Sequence, residues 1–347
     1  MIMKNIAQRI MIAVVAVAAT QVTMAESWRI NNDASKGAHF ASINEAMDTT
    51  VVVDGDTLYL DPGCALKDDQ TITKAVTIIG TGWEYSDKPY VPARIEKKLI
   101  IRSAAKVVGL LISGDVNLYH SNVIIEGCNT THVWAAAKSV DNVQIIGSYI
   151  TKRVHGYSSG SNSGWQIYNS WVQDVSGGSS STPINDLSQA TVANCFIVNV
   201  CGWTNNIKAL NVDNSLIKNN IIVSTYKNNL TDLVAGSNNL VYNNCMSVAA
   251  DVSAYAANNV CTGNKSLGHY MINSGVGGAQ MQLCEGSPAK GAGEGGIDCG
   301  PYAEGSLYPF ITYGLPEHIP YFTEADIPTQ PTDGKVKVTL KIENQNR

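Results

Sequence analysis

The chain has few charged residues and few large apolar aromatics for its length. Charged residues make up 15% of its 347 residues, and phenylalanine occurs only 4 times. Beyond the first 25 residues, no apolar run approaches the roughly 20 residues that a membrane helix needs. No stretch has the 3.6-residue periodicity of a long amphipathic helix. These absences argue against a helical bundle and against a membrane-spanning helix.

Signatures of metal and cofactor sites are also missing. The 8 cysteines include no C-x-x-C pair, and no Cys/His spacing is typical of zinc. We therefore expect no cofactor, although the sequence leaves calcium open.

The N-terminus is typical of an export signal. Lys4 and Arg9 precede an apolar run over residues 10–19, and Thr23-Met24-Ala25 places small residues at a cleavage site, which predicts a signal peptide over residues 1–25. Its removal takes away two basic residues and no acidic ones, so the net charge of -5 becomes about -7. We expect a bacterial protein that is extracellular, at the cell surface or periplasmic. This charge disfavours nucleic acid as a partner, and a polyanionic glycan would need a local basic patch.

A branched aliphatic residue recurs two positions before a glycine or asparagine, at intervals of 18 to 29 residues. The glycine and asparagine positions are Gly80, Gly109, Gly127, Gly147, Asn169, Asn194, Asn219 and Asn243. The aliphatic positions are Ile78, Val107, Ile125, Ile145, Ile167, Val192, Ile217 and Val241. Intervals of this size are typical of a solenoid, whose units bury their apolar faces against one another.

Each repeat predicts a strand, a sharp bend and a second strand. We expect the aliphatic side chains to point inward and the bend residues to be left-handed, a conformation that glycine and asparagine tolerate best. Stacked bend asparagines could also bond to one another along the axis.

The bend hexapeptide, as in residues 145–150 and 217–222, resembles that of the pectate-lyase-like right-handed parallel β-helix superfamily. The resemblance covers residues from about 40 to 302, and residues 287–302 resemble a closing coil of exported bacterial members. It implies an all-β fold: a single-stranded right-handed parallel β-helix of nine to ten coils over residues 26–302. It does not fix a reaction, because one fold serves many functions.

Different structures are predicted at the two ends of the solenoid. Phe40, Ile43, Ala46 and Met47 share one helical face, and Ser42 and Glu45 have capping-box spacing, so we expect a short N-terminal capping helix. Residues 303–347 read as a proline-rich tail with a terminal strand. This tail either folds back along the rod or joins a partner in a surface assembly.

The cysteines divide into two groups. Cys128, Cys195 and Cys245 follow the bend residues by one or two positions, which favours small buried side chains over disulfides. Cys284 and Cys299 flank a glycine-rich loop and are the pair that we expect to bond.

The family resemblance implies a substrate groove on the sheet that is numbered first in family members, and on its loops, in the irregular stretch ahead of each bend hexapeptide. The candidate ligand-binding residues there are Tyr119, His132, Trp134, Tyr157, Trp203 and Asp232. Arg153, His155 and Lys208 are candidate catalytic residues, because β-elimination of a uronate needs a base and a cation. The N-T-D, G-H-G and R-I-K motifs of polygalacturonase-like hydrolases are absent, as is the R-x-P-x-x-R element of pectate lyases.

Three functions remain open on this sequence. The first is an exported β-helix protein that binds polysaccharide or surface glycans without catalysis. The second is a polysaccharide lyase or glycoside hydrolase with an atypical site, of which the lyase is favoured. The third is a structural spacer that joins a surface assembly through the C-terminal tail.

Overall fold

A computed structural model describes most of the chain. The described residues are 25–83, 91–174, 182–199, 208–224, 233–246, 260–262, 265–266, 283, 285–308, 321–326 and 339–343. Residues 1–24, which include nearly all of the predicted signal peptide, lie outside these ranges.

The strands are short and follow one another at regular intervals. The first thirteen are β1 (Ser27–Ile30), β2 (Thr57–Leu60), β3 (Ala65–Leu66), β4 (Gln70–Ile72), β5 (Thr77–Ile79), β6 (Arg94–Ile95), β7 (Leu99–Ile101), β8 (Lys106–Val108), β9 (Leu111–Ile112), β10 (Val116–Leu118), β11 (Ile124–Glu126), β12 (Asn129–Ala135) and β13 (Gln144–Ile146). The others are β14 (Tyr149–His155), β15 (Gln166–Tyr168), β16 (Trp171–Asp174), β17 (Ile184–Ser188), β18 (Thr191–Ala193), β19 (Phe196–Asn199), β20 (Leu210–Asp213), β21 (Leu216–Lys218), β22 (Ile221–Ser224), β23 (Val234–Ala235), β24 (Leu240–Tyr242), β25 (Cys245–Met246), β26 (Val260–Thr262), β27 (Lys265–Ser266), β28 (Tyr321–Asp326) and β29 (Thr339–Glu343).

Eleven parallel strands form the first sheet, in the order β1-β2-β5-β8-β11-β13-β15-β18-β21-β24-β26. Their central residues are register partners; Ile145, for example, pairs with Ile125 on one side and Ile167 on the other. All eight aliphatic residues of the predicted repeat lie in this column and are fully buried. The prediction that they stack inside the molecule is confirmed.

A second sheet of sixteen strands contains two columns, which share β12 and β14. The second column runs β3-β6-β9-β12-β14-β16-β19-β22-β25-β27, and the third runs β4-β7-β10-β12-β14-β17-β20-β23. A register shift after Thr130, where β12 pairs with β14, separates the two columns within these long strands. The result is an all-β body of long parallel sheets, consistent with a parallel β-helix.

Helical structure is sparse among the described residues. There, the α-helix α1 (Ile43–Asp48) is six residues long, and 3-10 turns cover Ala34–Lys36 and Glu294–Gly296. In the described ranges, no helix is long and apolar enough to cross a membrane.

Helix α1 forms where the sequence predicted a helix. Ser42 Oγ accepts a hydrogen bond from the Glu45 amide at 3.1 Å, and Ile43, Ala46 and Met47 are buried. The carboxamide of Gln70, on β4, accepts from the Ile43 amide at 3.1 Å. A helix N-terminus has amides without intrahelical partners, so this contact ties α1 to the end of the third column.

Seven of the eight predicted bend residues have positive φ, between 46° and 61°. The prediction that the bend residues have a left-handed backbone conformation is wrong only for Gly80. There, a Cβ atom would lie 2.3 Å from the Gly109 carbonyl oxygen, so glycine is required by the close approach of the next coil rather than by its own φ.

A second series of left-handed residues, which we did not predict, lies two positions before successive strands of the first sheet. Its members are Asn122, Asn142, Gly164, Gln189, Asn214 and Asn238. Each of these first-sheet strands is therefore bounded by a left-handed residue at both ends.

Buried polar side chains stack inside the solenoid at the residue directly after several of the bends. The Ser170 hydroxyl accepts from the Ser148 amide at 3.1 Å, and the Asn244 carboxamide accepts from both the backbone and side-chain nitrogens of Asn220 at 2.9 Å. These bonds satisfy amides that the bends remove from the strand ladder, as burial requires. The expected asparagine stacking thus occurs one residue beyond the bend.

The three cysteines near the bends are buried in two different places, the interior of the solenoid and the outer face of the second column. Cys128 and Cys195 are free thiols inside the solenoid, and burial raises the pKa of each to about 12. Cys245 instead belongs to an apolar cluster on the outer face of the second column. Cys284, the predicted partner of Cys299, lies outside the described residues.

Residues 285–308, which we call the strap, cross the outside of the second column. Ala289, Ala292 and Cys299 pack on an apolar row that includes Phe196 and Ile221. The expected closing coil is therefore wrong, since the strap forms no strand and lies along the side of the solenoid.

The bend asparagines hold the strap through their side chains. Asn169 Nδ2 donates to the Pro301 carbonyl at 2.9 Å and to Ser306 Oγ at 2.8 Å. Asn219 Oδ1 accepts from the Glu294 amide at 2.8 Å, and the Glu294 carboxylate lies 2.6 Å from the ammonium of Lys218.

The C-terminal tail contains two strands rather than the single predicted one. β28 and β29 pair antiparallel as a separate two-stranded sheet. The terminal strand therefore pairs within the tail.

Replacing a stacked aliphatic should destabilise the solenoid far more than replacing its outward neighbour. We expect Ile167→Ala to lower the free energy of unfolding by about 2–5 kcal/mol because it leaves a cavity in the core. Gln166→Ala, on the outer side of the same strand, should change it by about 0.5 kcal/mol or less. Urea titrations followed by circular dichroism would measure both, and equal losses would contradict the inward orientation.

Removing a strap contact without disturbing its bend should expose the strap. Asn169→Gly keeps a residue that tolerates positive φ but deletes both side-chain bonds to the strap. We expect limited proteolysis to cut residues 285–308 faster in this variant than in the parent protein. Asn214→Gly, at an exposed left-handed position away from the strap, is the matched control and should leave the cutting rate unchanged.

Candidate functional site

The third column presents one outward side chain per strand in a continuous row. Its inward residues, Val116, Val133, Val154, Ile184 and Leu210, are buried. The residue after each of them is Asn117, Trp134, His155, Asn185 and Asn211, and these five are successive register partners. We call these five residues the polar ladder. Adjacent rungs are about 4.8 Å apart, the spacing of neighbouring strands.

Contacts between neighbouring rungs fix the side chains of the polar ladder. The Trp134 indole donates to Asn117 Oδ1 at 2.5 Å, and its ring stacks on that of His155 with centroids 5.6 Å apart and planes 12° apart. Further along, Asn211 Nδ2 donates to Asn185 Oδ1 at 2.8 Å. Asn117 is 7% exposed, so it orients Trp134, while the other four rungs are partly open to solvent.

A row of charged residues runs beside the polar ladder. His132 Nδ1 lies 2.7 Å from Asp115 Oδ1, and Arg153 Nε lies 3.6 Å from Asp174 Oδ2. The hydrogen bond from His132, with the nearby charges of Lys98 and Lys152, holds the pKa of Asp115 below its usual range despite partial burial. Each of these two carboxylates therefore lies beside a hydrogen-bonding or cationic side chain.

His155 is uncharged at neutral pH. Burial, and next the charge of Arg153, lower its pKa to about 4, because both disfavour the imidazolium. Its Nδ1 lies 3.3 Å from the Gly156 carbonyl oxygen, which accepts a hydrogen bond only from a protonated Nδ1. In that tautomer, Nε2 is the hydrogen-bond acceptor.

Asp186 interrupts the regular strand next to the ladder. It has a φ of 56° at a bulge between Asn185 and Leu187. Its carboxylate accepts from Asn185 Nδ2 at 2.6 Å, and burial raises its pKa. Strained non-glycine residues concentrate at functional sites, and this one braces a rung of the ladder.

The structure brings together four of the residues that the sequence nominated. Trp134 and His155 are rungs, and His132 and Arg153 lie in the adjoining charged row. Lys208 precedes β20, two strands away from the strand of Arg153. Arg153 and His155 are thus neighbours, while Lys208 lies apart from them.

The other nominated residues have different surroundings. Tyr119 is exposed beyond the end of β10, with the Arg102 guanidinium 4.2 Å above its ring. Tyr157 packs against the central core. Trp203 and Asp232 lie outside the described residues.

Sequence reasoning missed the asparagine rungs. Asn117, Asn185 and Asn211 were not among the residues nominated from the sequence. A signal was present, because Val116-Asn117-Leu118 and Leu210-Asn211-Val212 place an asparagine between two inward apolar residues. This alternation identifies an outward position on a strand rather than a bend.

No group of three or more His, Cys, Asp or Glu side chains within the described ranges is placed to hold a metal ion.

Comparisons with protein-family models, curated proteins and solved structures found no match to this chain. The resemblance to pectate-lyase-like proteins thus rests on the bend pattern and on the parallel sheets alone.

Acid should destabilise the protein through His155. The unfolded histidine takes up a proton near its ordinary pKa of 6.5, whereas the folded one does so only near 4. The unfolded state therefore binds more protons between these values, and stability should fall as the pH drops through this window. We expect His155→Gln to lose less unfolding free energy than the parent between pH 7 and about pH 4.5, as measured by urea titration.

Equal losses in the two proteins would contradict this assignment. An NMR titration of the His155 ring provides an independent check, because an ordinary midpoint would show that the imidazole is not desolvated.

Proposed function

We propose that this protein is an exported β-helix that binds glycans through the polar ladder, without catalysis. The observation that supports this is the row of an indole, an imidazole and two carboxamides on consecutive strands of one partly open face. Aromatic rings pack on the apolar faces of sugars, and carboxamides both donate to and accept from hydroxyl groups.

The proposed fold is the right-handed, single-stranded β-helix of the pectate-lyase-like kind. The eleven strands of the first sheet support nine to ten coils, and the left-handed bends are of the kind that the resemblance implies. We further propose that α1 is the N-terminal cap, because its buried face and its contact with Gln70 cover the end of the third column. Such a cap hides strand edges that would otherwise pair with other chains.

The same geometry gives less support to β-elimination. A general base works best with a pKa near the operating pH, and His155, with a pKa of about 4, is a weak base. Arg153 is engaged with Asp174, and Lys208 lies two strands from it. The three nominated catalytic residues therefore do not combine a strong base with a free cation at one point.

A panel of immobilised neutral and acidic polysaccharides tests the proposal. We expect at least one to retain the protein, and Trp134→Ala to weaken that binding by roughly tenfold or more, because the ring is the largest apolar surface on the ladder. Gln144→Ala removes an outward carboxamide from the first sheet and serves as the control. Circular dichroism of each variant checks that it is folded.

Two results would contradict the proposal. One is the failure of every polysaccharide to retain the parent protein. The other is the appearance of unsaturated uronate products, followed by their absorbance, which would favour the lyase alternative.

A further inference from the structure

Four consecutive rungs of the polar ladder face solvent, and the row has defined ends. Trp134, His155, Asn185 and Asn211 lie on β12, β14, β17 and β20. At one end the row meets the nearly buried Asn117, whose partner on β7 is Ile100; at the other, Asn211 pairs with Ala235. The surface that can bind hydrogen-bonding groups is therefore four strands long.

The spacing of the rungs suits a polymer laid across the strands. Neighbouring strands are about 4.8 Å apart, which is close to the length of one sugar residue in an extended glycan. A chain running in the stacking direction meets one new side chain with each sugar. A chain running parallel to the strands would cross a single rung.

The chemistry of the four rungs is uncharged. An indole, two carboxamides and a neutral imidazole offer donors and acceptors that suit hydroxyl groups. Beside the rungs, the Asp115 carboxylate is hydrogen-bonded to His132, Arg153 lies next to Asp174, and the Asp186 carboxylate accepts from the carboxamide of Asn185. The whole chain is also acidic, with a net charge of -5, which disfavours a polyanion.

We propose that the polar ladder binds an uncharged polysaccharide that runs across the strands, with one sugar residue per rung over four rungs. This proposal rests on the proposed glycan-binding function and specifies its ligand class and binding register. Asn117 is a positioning residue, because it acts through the indole of Trp134.

A length series of oligosaccharides tests the register. Titration calorimetry would use neutral gluco-, xylo-, manno-, galacto- and chito-oligosaccharides of two to eight residues, with oligogalacturonides of the same lengths as the acidic series. We expect a neutral series to bind, with affinity rising roughly two- to tenfold per residue up to four residues and constant beyond. In Asn211→Ala the rise should stop at three residues, while disaccharide affinity stays unchanged.

The Gln144→Ala control should retain a limit of four. Affinity that is independent of length beyond two residues, or an Asn211→Ala variant that weakens all lengths equally, would overturn the register. Tighter binding of oligogalacturonides than of every neutral series would overturn the uncharged ligand class, while leaving glycan binding intact. If neither oligosaccharides nor the polysaccharide panel bind, the proposed function itself fails.

Discussion

The fixed register between successive coils is the constraint on which the rest of this structure depends. One buried aliphatic residue stands opposite another across the first sheet from β5 to β24, and a shift by one residue would turn every side chain to the opposite face. From β11 to β24, left-handed residues at both ends of these strands hold the register, because they return the chain to the same phase in each coil. The polar ladder exists for the same reason, since a side chain in one coil must lie beside its counterpart in the next.

The outer faces of the solenoid differ in what covers them. The second column presents apolar and aromatic side chains, which the strap covers around Phe196 and Ile221. The third column presents polar groups that bond to one another and remain partly open, as in the bond between Asn185 and Asn211. An apolar face needs a cover, whereas a polar face can stay in contact with water or a ligand. This contrast is why the candidate site is placed on the third column.

The interior of this fold could be predicted from the sequence, and its exterior only in part. Ile145 and Ile167 were identified because every coil must bury an apolar residue at this position, so apolar residues recur periodically in the sequence. Asn185 and Asn211 were not, because packing of the core does not restrict which residue occupies an outward position between two inward ones. Trp134 and His155 were found because rings and imidazoles are conspicuous among polar residues, although their stacking depends on a register that no single segment reveals.

The strap could not be inferred from local pattern. Its contact between Asn169 and Pro301 joins residues 132 positions apart, and no local repeat links the two segments. Likewise, nothing near Asn169 distinguishes a left-handed asparagine whose side chain binds the strap from one such as Asn214, whose side chain is exposed.

An array of coils is a one-dimensional system in which each unit is coupled to its nearest neighbours, so that it can melt from either end. The strap alters this behaviour, because it contacts three bends. It is hydrogen-bonded to Asn169 and Asn219, and its Cys299 thiol lies 3.1 Å from the Asn243 carbonyl oxygen. Coils that are not adjacent thereby share a common partner. The C-terminal half of the solenoid should in consequence open as a single cooperative unit, with fraying confined to the coils that the strap does not reach.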